Sequence, residues 1–245
     1  MTTVEGIVLK ERIFGEQDKF IDILTRDRGV IELPVKCARK INGKSSSATQ
    51  LFAYSHFCYE QRKNRLWLNS VEPIHIFYEL RSSLSAISLA SYFSEVVRSC
   101  VPEMTNSENI LRLFLNTLHF LGKNQHDEKL LKSIFELRLM SEIGFMPDVL
   151  GCHECGGFEP DELYFSIKEG CFYCAECYDN HDESAFKMNL SALSAVRHIV
   201  LADFNKLYNF RLSENLLKQL SVFTESYLIS HLERNFNTLN FYKSL

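Results

Sequence analysis

Over the first seventy-odd residues, apolar positions alternate with polar ones or gather in short β-branched and aromatic blocks. This pattern predicts strands over Val4–Lys10, Phe20–Thr25, Val30–Lys36, Leu51–Gln61 and Arg65–Val71. Turn material such as Arg26-Asp27-Arg28-Gly29 and Arg62-Lys63-Asn64 separates them, and the stretch from Cys37 to Gln50 is longer, polar and rich in Ser, Lys and Asn. From Phe77 the period changes. Phe77, Leu80, Leu84, Ile87, Phe93, Val96 and Val97 recur at helical steps and stop before Pro102, which predicts one long helix. Thr105-Asn106-Ser107-Glu108 has the form of a capping box ahead of a stripe from Ile110 to Leu121 that Gly122 ends. Asp127 is a suitable cap for a third helix carrying Leu130, Leu131, Ile134 and Phe135 and closed by Gly144, with Pro147 beyond. Helical periodicity returns over Leu190–Leu201 and Leu216–Asn235, with Ser213 as N-cap of the latter.

Five antiparallel strands in about seventy residues suit a small closed or nearly closed barrel, either of the oligonucleotide-binding (OB) type or SH3-like. The fold class is therefore mixed α+β: a five-stranded OB-type β-barrel followed by an α-helical domain. The expected division is 1–76 for the barrel, 77–149 for the first helical part, 150–182 for a cysteine-bearing insertion and 183–245 for the second helical part.

That insertion carries the sharpest chemical signal. Cys152-His153-Glu154-Cys155 and Cys174-Ala175-Glu176-Cys177 are two C-x2-C pairs with eighteen residues between them. Two thiolates separated by two residues grip one tetrahedral ion, so the pattern predicts a structural Zn2+ held by Cys152, Cys155, Cys174 and Cys177. Four protein ligands leave no position for a reactive water, so the metal supplies folding energy rather than Lewis-acid chemistry. Cys171, His153 and His181 lie near enough in sequence to compete, and are read as bystanders. Leu150 to His181 holds few aliphatic residues, and we expect it to lean on the metal for its order.

The net charge is −4, yet residues 1–78 hold twelve Lys and Arg against nine Asp and Glu, a balance of +3, while the remainder holds fifteen against twenty-two, or −7. Lys36, Arg39, Lys40 and Lys44, with Arg26 and Arg28, flank the turns where barrels of this kind hold nucleic-acid strands, and Phe14, Tyr54, Tyr59 and Trp67 offer stacking faces. No apolar run is long enough for a membrane span. The opening Met1-Thr2-Thr3-Val4-Glu5 lacks an export signal, which suggests the cytoplasm. Gly43-Lys44-Ser45 is not a phosphate loop, since Ala38 stands where the first glycine is needed. No catalytic pattern is present, and an enzyme is not expected. A protein-only adaptor stapled by zinc is the alternative reading.

Several stretches, taken in order, resemble the RecO family of bacterial DNA repair and recombination mediators. They are Glu5-Gly6-Ile7-Val8-Leu9-Lys10, Phe14-Gly15-Glu16-Gln17-Asp18, Leu24-Thr25-Arg26-Asp27-Arg28-Gly29, Lys36 through Arg39 and Lys40 to Ser45, Leu68 to Glu72, Phe135 to Met140, Gly144-Phe145-Met146-Pro147 and the two cysteine pairs. The resemblance implies an N-terminal OB barrel and a helical domain with a zinc finger. It also implies binding of single- and double-stranded DNA, annealing of complementary strands, work with RecR and RecF, and help for RecA in replacing single-strand-binding protein. It implies no covalent reaction, no small-molecule substrate and a cytoplasmic, nucleoid-associated protein. Carried onto this sequence, it makes Cys152, Cys155, Cys174 and Cys177 metal ligands, and Lys36, Arg39, Lys40 and Lys44 the DNA-contacting loop.

Overall fold

The computed structural model describes residues 1–16, 18–36, 44–63, 65–179, 182 and 184–245, with the side chains of Lys44 and Ser45 excepted. Arg39, Lys40 and His181 lie outside these residues. The chain is mixed α+β and forms two compact units: Met1–Gln125 together with Phe236–Leu245, and His126–Asn235.

In the first unit, five strands form one antiparallel sheet: β1 (Thr2–Phe14), β2 (Asp18–Thr25), β3 (Val30–Val35), β4 (Ala53–Arg62) and β5 (Arg65–Ile76). Their order is β3-β2-β1-β4-β5. β1 is long enough to serve two partners, pairing Thr2–Ile7 with β4 and Gly6–Phe14 with β2. That sharing curls the sheet, and the outer strands β3 and β5 come into contact without a hydrogen-bonded ladder. The result is an OB-type barrel left open at one seam. Proline explains part of the opening, because β3 carries Pro34 and β5 carries Pro73, and a residue without N–H is tolerated on an edge strand. The pleat delivers Val4, Val8, Ile21, Ile23, Ile31, Leu33, Phe57 and Val71 to one interior. Ala48 of the short helix α1 (Lys44–Ala48) joins them.

The expected long helix from Phe77 is broken. A 3-10 turn covers Tyr78–Ser82, and α2 (Leu84–Cys100) starts after Ser83, whose side chain accepts from Ala86 N. α2 is fastened to the barrel by Arg98, whose Nε lies 2.7 Å from Asp22 Oδ2 on β2; Arg12 holds the other oxygen at 3.0 Å. The β2–β3 turn is pressed against the connection that leaves α2. Gly29 has φ +65°, and a Cβ there would sit 1.9 Å from Pro102 O. The capping box is not formed, since α3 (Glu108–Gly122) has Ser107 at its N-cap without a side-chain cap bond. Instead, Ser107 N donates to Arg26 O and Met104 N to Arg28 O. At the other end of the chain α7 (Asn237–Lys243), absent from the sequence reading, packs on α2. Glu95 accepts from Thr238 N at 3.1 Å, and Phe236 meets Tyr92 edge to face.

The second unit is built on α4 (Glu128–Glu142), α5 (Leu190–Leu201) and α6 (Glu214–Leu232). Asp127 caps α4 by accepting from Lys129 N, and Gly144 follows its end with φ +98°. Between α4 and α5 lie β6 (Glu162–Ser166), β7 (Cys171–Cys174) and β8 (Phe186–Asn189), paired antiparallel in the order β7-β6-β8. This corrects the expectation of an irregular segment without an apolar core. Leu163, Phe165, Phe172 and Met188 are buried, and Phe165 meets Phe223 and Tyr227 of α6 edge to face. Aromatic residues do here what aliphatic ones would do elsewhere.

Candidate metal centre and nucleic-acid groove

The two cysteine pairs reach one point by different routes. Cys174 ends β7 and is held by its pairing with Leu163. Cys177 follows after a turn in which Cys177 N and Tyr178 N donate to Cys174 O. Cys152 and Cys155 belong to a stretch, 143–161, without helix or strand. Their loop closes on itself through Gly156 N to Cys152 O and Cys152 N to Gly157 O, and leans on β7 through His153 N to Phe172 O. All four sulfurs lie within 4.8 Å of one another. Sulfurs at about 2.3 Å from a tetrahedral zinc would be about 3.8 Å apart, and Cys155 Sγ and Cys174 Sγ are 3.8 Å apart.

Electrostatics fit a cation as well. Burial works to raise the Cys152 thiol, but hydrogen bonds from the backbone of Cys155, Cys174 and Glu154 outweigh it and hold the group down to about 6. Cys177 is pushed far up instead, by hydrogen bonding with the sulfurs of Cys174 and Cys155. A thiolate is welcome at Cys152 and disfavoured at Cys177, a deficit that a bound dication would remove. The four residues could thus hold a metal ion, and the donor set suits zinc. Among the described residues, neither Cys171 nor His153 belongs to the cluster. Cys171 is buried at the start of β7, and His153 rests on the Tyr173 ring.

The second candidate site is a groove of about 640 Å3 at the open seam of the barrel. The β1–β2 turn contributes Phe14 and Phe20, the end of β3 contributes Pro34 and Lys36, and the start of β5 contributes Arg65 and Trp67. These are the strand face and loops through which OB barrels take oligonucleotides. Lys36 Nζ stands 4.8 Å from the Trp67 ring centre, a cation over an aromatic face, and Phe14 and Phe20 pack edge to face with centroids 5.3 Å apart. Asp18, Glu32 and Glu103 also line the groove, Glu32 being paired with Arg12.

Only part of the expected basic set converges there. Lys36 is in the groove, and Lys44 begins α1. Arg26 and Arg28 lie on the β2–β3 turn, where their carbonyls hold the α2–α3 connection and Arg26 pairs with Glu108. Arg12 and Arg62 are likewise engaged, with Asp22 and Glu32 and with Glu60. Tyr59 is buried in the barrel, and Tyr54 donates to Glu5 at 2.8 Å, which leaves Phe14 and Trp67 of the four aromatic candidates. Phe20 was missed, although the alternation that sends Ile21 and Ile23 to the core puts Phe20 on the other face of β2, a visible signal.

Comparison with known proteins gives the family. The family described as Recombination protein O N terminal matches residues 1–77, and Recombination protein O C terminal matches residues 81–240. The chain belongs to the RecO family. A DNA repair protein RecO of Acetivibrio thermocellus is 33% identical over 240 residues, covering 98% of this chain and 95% of that protein. The RecO of Alkaliphilus metalliredigens is 30% identical over 242 residues, covering 98% of each. That of Symbiobacterium thermophilum is 29% identical over 245 residues, covering 99% and 96%. The RecO resemblance of the sequence is thus borne out, the two family matches covering residues 1–77 and 81–240. Among the described residues, no helix is long and apolar enough to cross a membrane.

Proposed function

We propose that this RecO-family chain is a DNA repair and recombination mediator that holds DNA in the barrel groove and performs no covalent chemistry. The observation that carries the reading is the groove itself, where Lys36 and Arg65 offer charge for phosphates beside the aromatic faces of Phe14 and Trp67. Arg39, Lys40 and Lys44, which follow Lys36 in the sequence, and Arg26 and Arg28 of the β2–β3 turn add positive charge for phosphates in this reading. In this reading the protein binds single- and double-stranded DNA and anneals complementary strands. With RecR, and with RecF, it helps load RecA on DNA coated by single-strand-binding protein. Zn2+ on Cys152, Cys155, Cys174 and Cys177 is structural. The four-segment division at 76, 149 and 182 separates the DNA-holding barrel from segments that meet protein partners, and the protein works in the cytoplasm at the nucleoid.

Trp67 is the chain's single tryptophan, so its fluorescence reports on this groove alone. Titration with single-stranded DNA is expected to quench it, and anisotropy of labelled DNA should show binding that weakens steeply with salt. Base stacking is worth about 1–3 kcal/mol per base, so Trp67→Ala should weaken binding by about 5- to 150-fold. Replacing Lys36, Arg39 and Lys40 by Ala should reduce both affinity and its salt dependence. Absence of DNA binding at low salt, with capture of RecR intact, would support the adaptor alternative.

A further inference from the structure

The cysteine pairs differ in what holds them, and the difference points to one side chain. Cys174 is the end of a paired strand, whereas Cys152 and Cys155 sit in a stretch without regular structure. On α5, Arg197 reaches that stretch from outside. Its Nε donates to Val149 O at 2.6 Å, and one terminal nitrogen donates to Leu150 O at 3.2 Å and Phe158 O at 2.6 Å. The guanidinium lies 3.9 Å from the Phe158 ring centre. Val149 and Leu150 enter the first cysteine loop and Phe158 leaves it, so one planar cation ties both strands of the loop at its neck. Its arrangement contrasts with that of Arg138 on α4, which donates to Val200 O and Ala202 O and so closes the C-terminal end of α5. Arg197 caps no helix. Its three acceptors belong to the cysteine loop alone.

We propose that Arg197 is a positioning residue for the metal: it holds Cys152 and Cys155 at chelating separation, so that the ion meets a prepared pair. The proposal rests on reading the four sulfurs as a zinc site. A guanidinium suits the task, because its fixed fork serves several carbonyls at once while its face stacks on an aromatic ring, which an ammonium cannot do. Without it, three carbonyls lose a donor, and the neck of the loop, outside the bonds Gly156 N to Cys152 O and Cys152 N to Gly157 O, loses its tie to α5.

The test uses the full-length, zinc-loaded protein, unchanged and as Arg197→Ala, Arg197→Lys and Phe158→Ala. Zinc loss to excess chelator is followed with a chromogenic indicator, alkylation of each cysteine by pulse-labelling mass spectrometry, and helix content by circular dichroism. Groups that hydrogen-bond metal ligands directly are typically worth about 10–100-fold in affinity; Arg197 acts one step further out, on the backbone that carries them, so Arg197→Ala should release zinc about 10-fold faster, the lower end of that range. Arg197→Lys should fall between it and the unchanged protein. Phe158→Ala, which removes only the stacking face of a half-exposed ring, should shift release in the same direction by less. In Arg197→Ala, Cys152 and Cys155 should be alkylated ahead of Cys174 and Cys177. Unchanged zinc release in Arg197→Ala and Phe158→Ala, or simultaneous alkylation of all four with loss of helix, overturns the proposal. Failure of the unchanged protein to take up zinc overturns the metal reading together with it, and is recognised because it appears before any substitution is made.

Discussion

The barrel sheet and the small cysteine-bearing sheet order their strands by different means. In the barrel, thirteen residues of β1 run between two partners and the interior is filled by branched aliphatic side chains. β6–β8 are strands of five, four and four residues, too short to be stable alone; Phe165 packs them against α6, and the four sulfurs gather at one end. A long ladder distributes its stability, so any one side chain is a modest share. A short one concentrates it in a few contacts, and each is correspondingly easy to find by substitution.

The strongest challenge to this contrast is removal of the metal ligands. Structural zinc contributes apparent free energies of about 10–16 kcal/mol in zinc-finger peptides, so Cys152→Ser with Cys155→Ser should abolish stoichiometric zinc. It should also disturb the stacked Tyr164 and Tyr178 rings, 4.3 Å apart, in the near-ultraviolet circular dichroism. Far-ultraviolet signal from α4–α6 should persist, because Phe165, Phe172 and Met188 supply an apolar core that needs no metal. Loss of helix together with zinc would show that the small sheet has no stability of its own.

A sharper comparison comes from matched core truncations. Phe57 and Phe165 are both fully buried, and each change to Ala should cost about 3–5 kcal/mol in denaturant titration. Only Phe165→Ala should also accelerate zinc release, since it lies on β6, the partner of the strand that bears Cys174. Equal acceleration by Phe57→Ala would mean that the two sheets are energetically coupled.

The β2–β3 and β4–β5 hairpins were legible because their residues interact across short turns, whereas the first strand, read as Val4–Lys10, runs on to Phe14; the cysteine site was legible because two C-x2-C turns carry their geometry with them. What was not legible depends on partners distant in sequence. The Thr105–Glu108 box looked complete, but Arg26 O, some eighty residues away, takes the N–H of Ser107. α7 is only seven residues long and borrows its cap from Glu95 on α2. Strands as short as β7 and β8 leave too few positions for a period-two signal. Among the basic residues, the sequence cannot tell Lys36, which reaches the groove, from Arg12 and Arg62, whose charges are taken up by neighbouring acids.

Smaller effects refine the same contrast within the second unit. Glu233 ends α6 in the left-handed region with φ +49°, a conformation that glycine adopts at less cost. Glu233→Gly should therefore raise stability by about 1 kcal/mol in denaturant titration, whereas a substitution in the middle of α6 would lower it. His231, between the rings of Phe145 and Tyr227, is held neutral because burial lowers its pKa below the usual value. The unfolded chain takes up a proton there before the folded one does. Stability from this group is thus present above about pH 6.5 and is lost as the pH falls below it. Melting curves at pH 7 and pH 5 should show a smaller acid-induced drop for His231→Phe than for the unchanged protein.

The turns at the two ends of β2 share a left-handed glycine, φ +65° at both Gly15 and Gly29, and differ in the space around it. Gly29 is walled in by Pro102, while the position of a side chain at Gly15 has nothing within 4 Å. A foreign loop or handle inserted beside Gly15, with the glycine kept, would project into open space next to the groove residue Phe14, whereas the same graft at Gly29 would prise the barrel from α2. The β1–β2 tip is accordingly the place to attach a reporter that watches strands enter and leave.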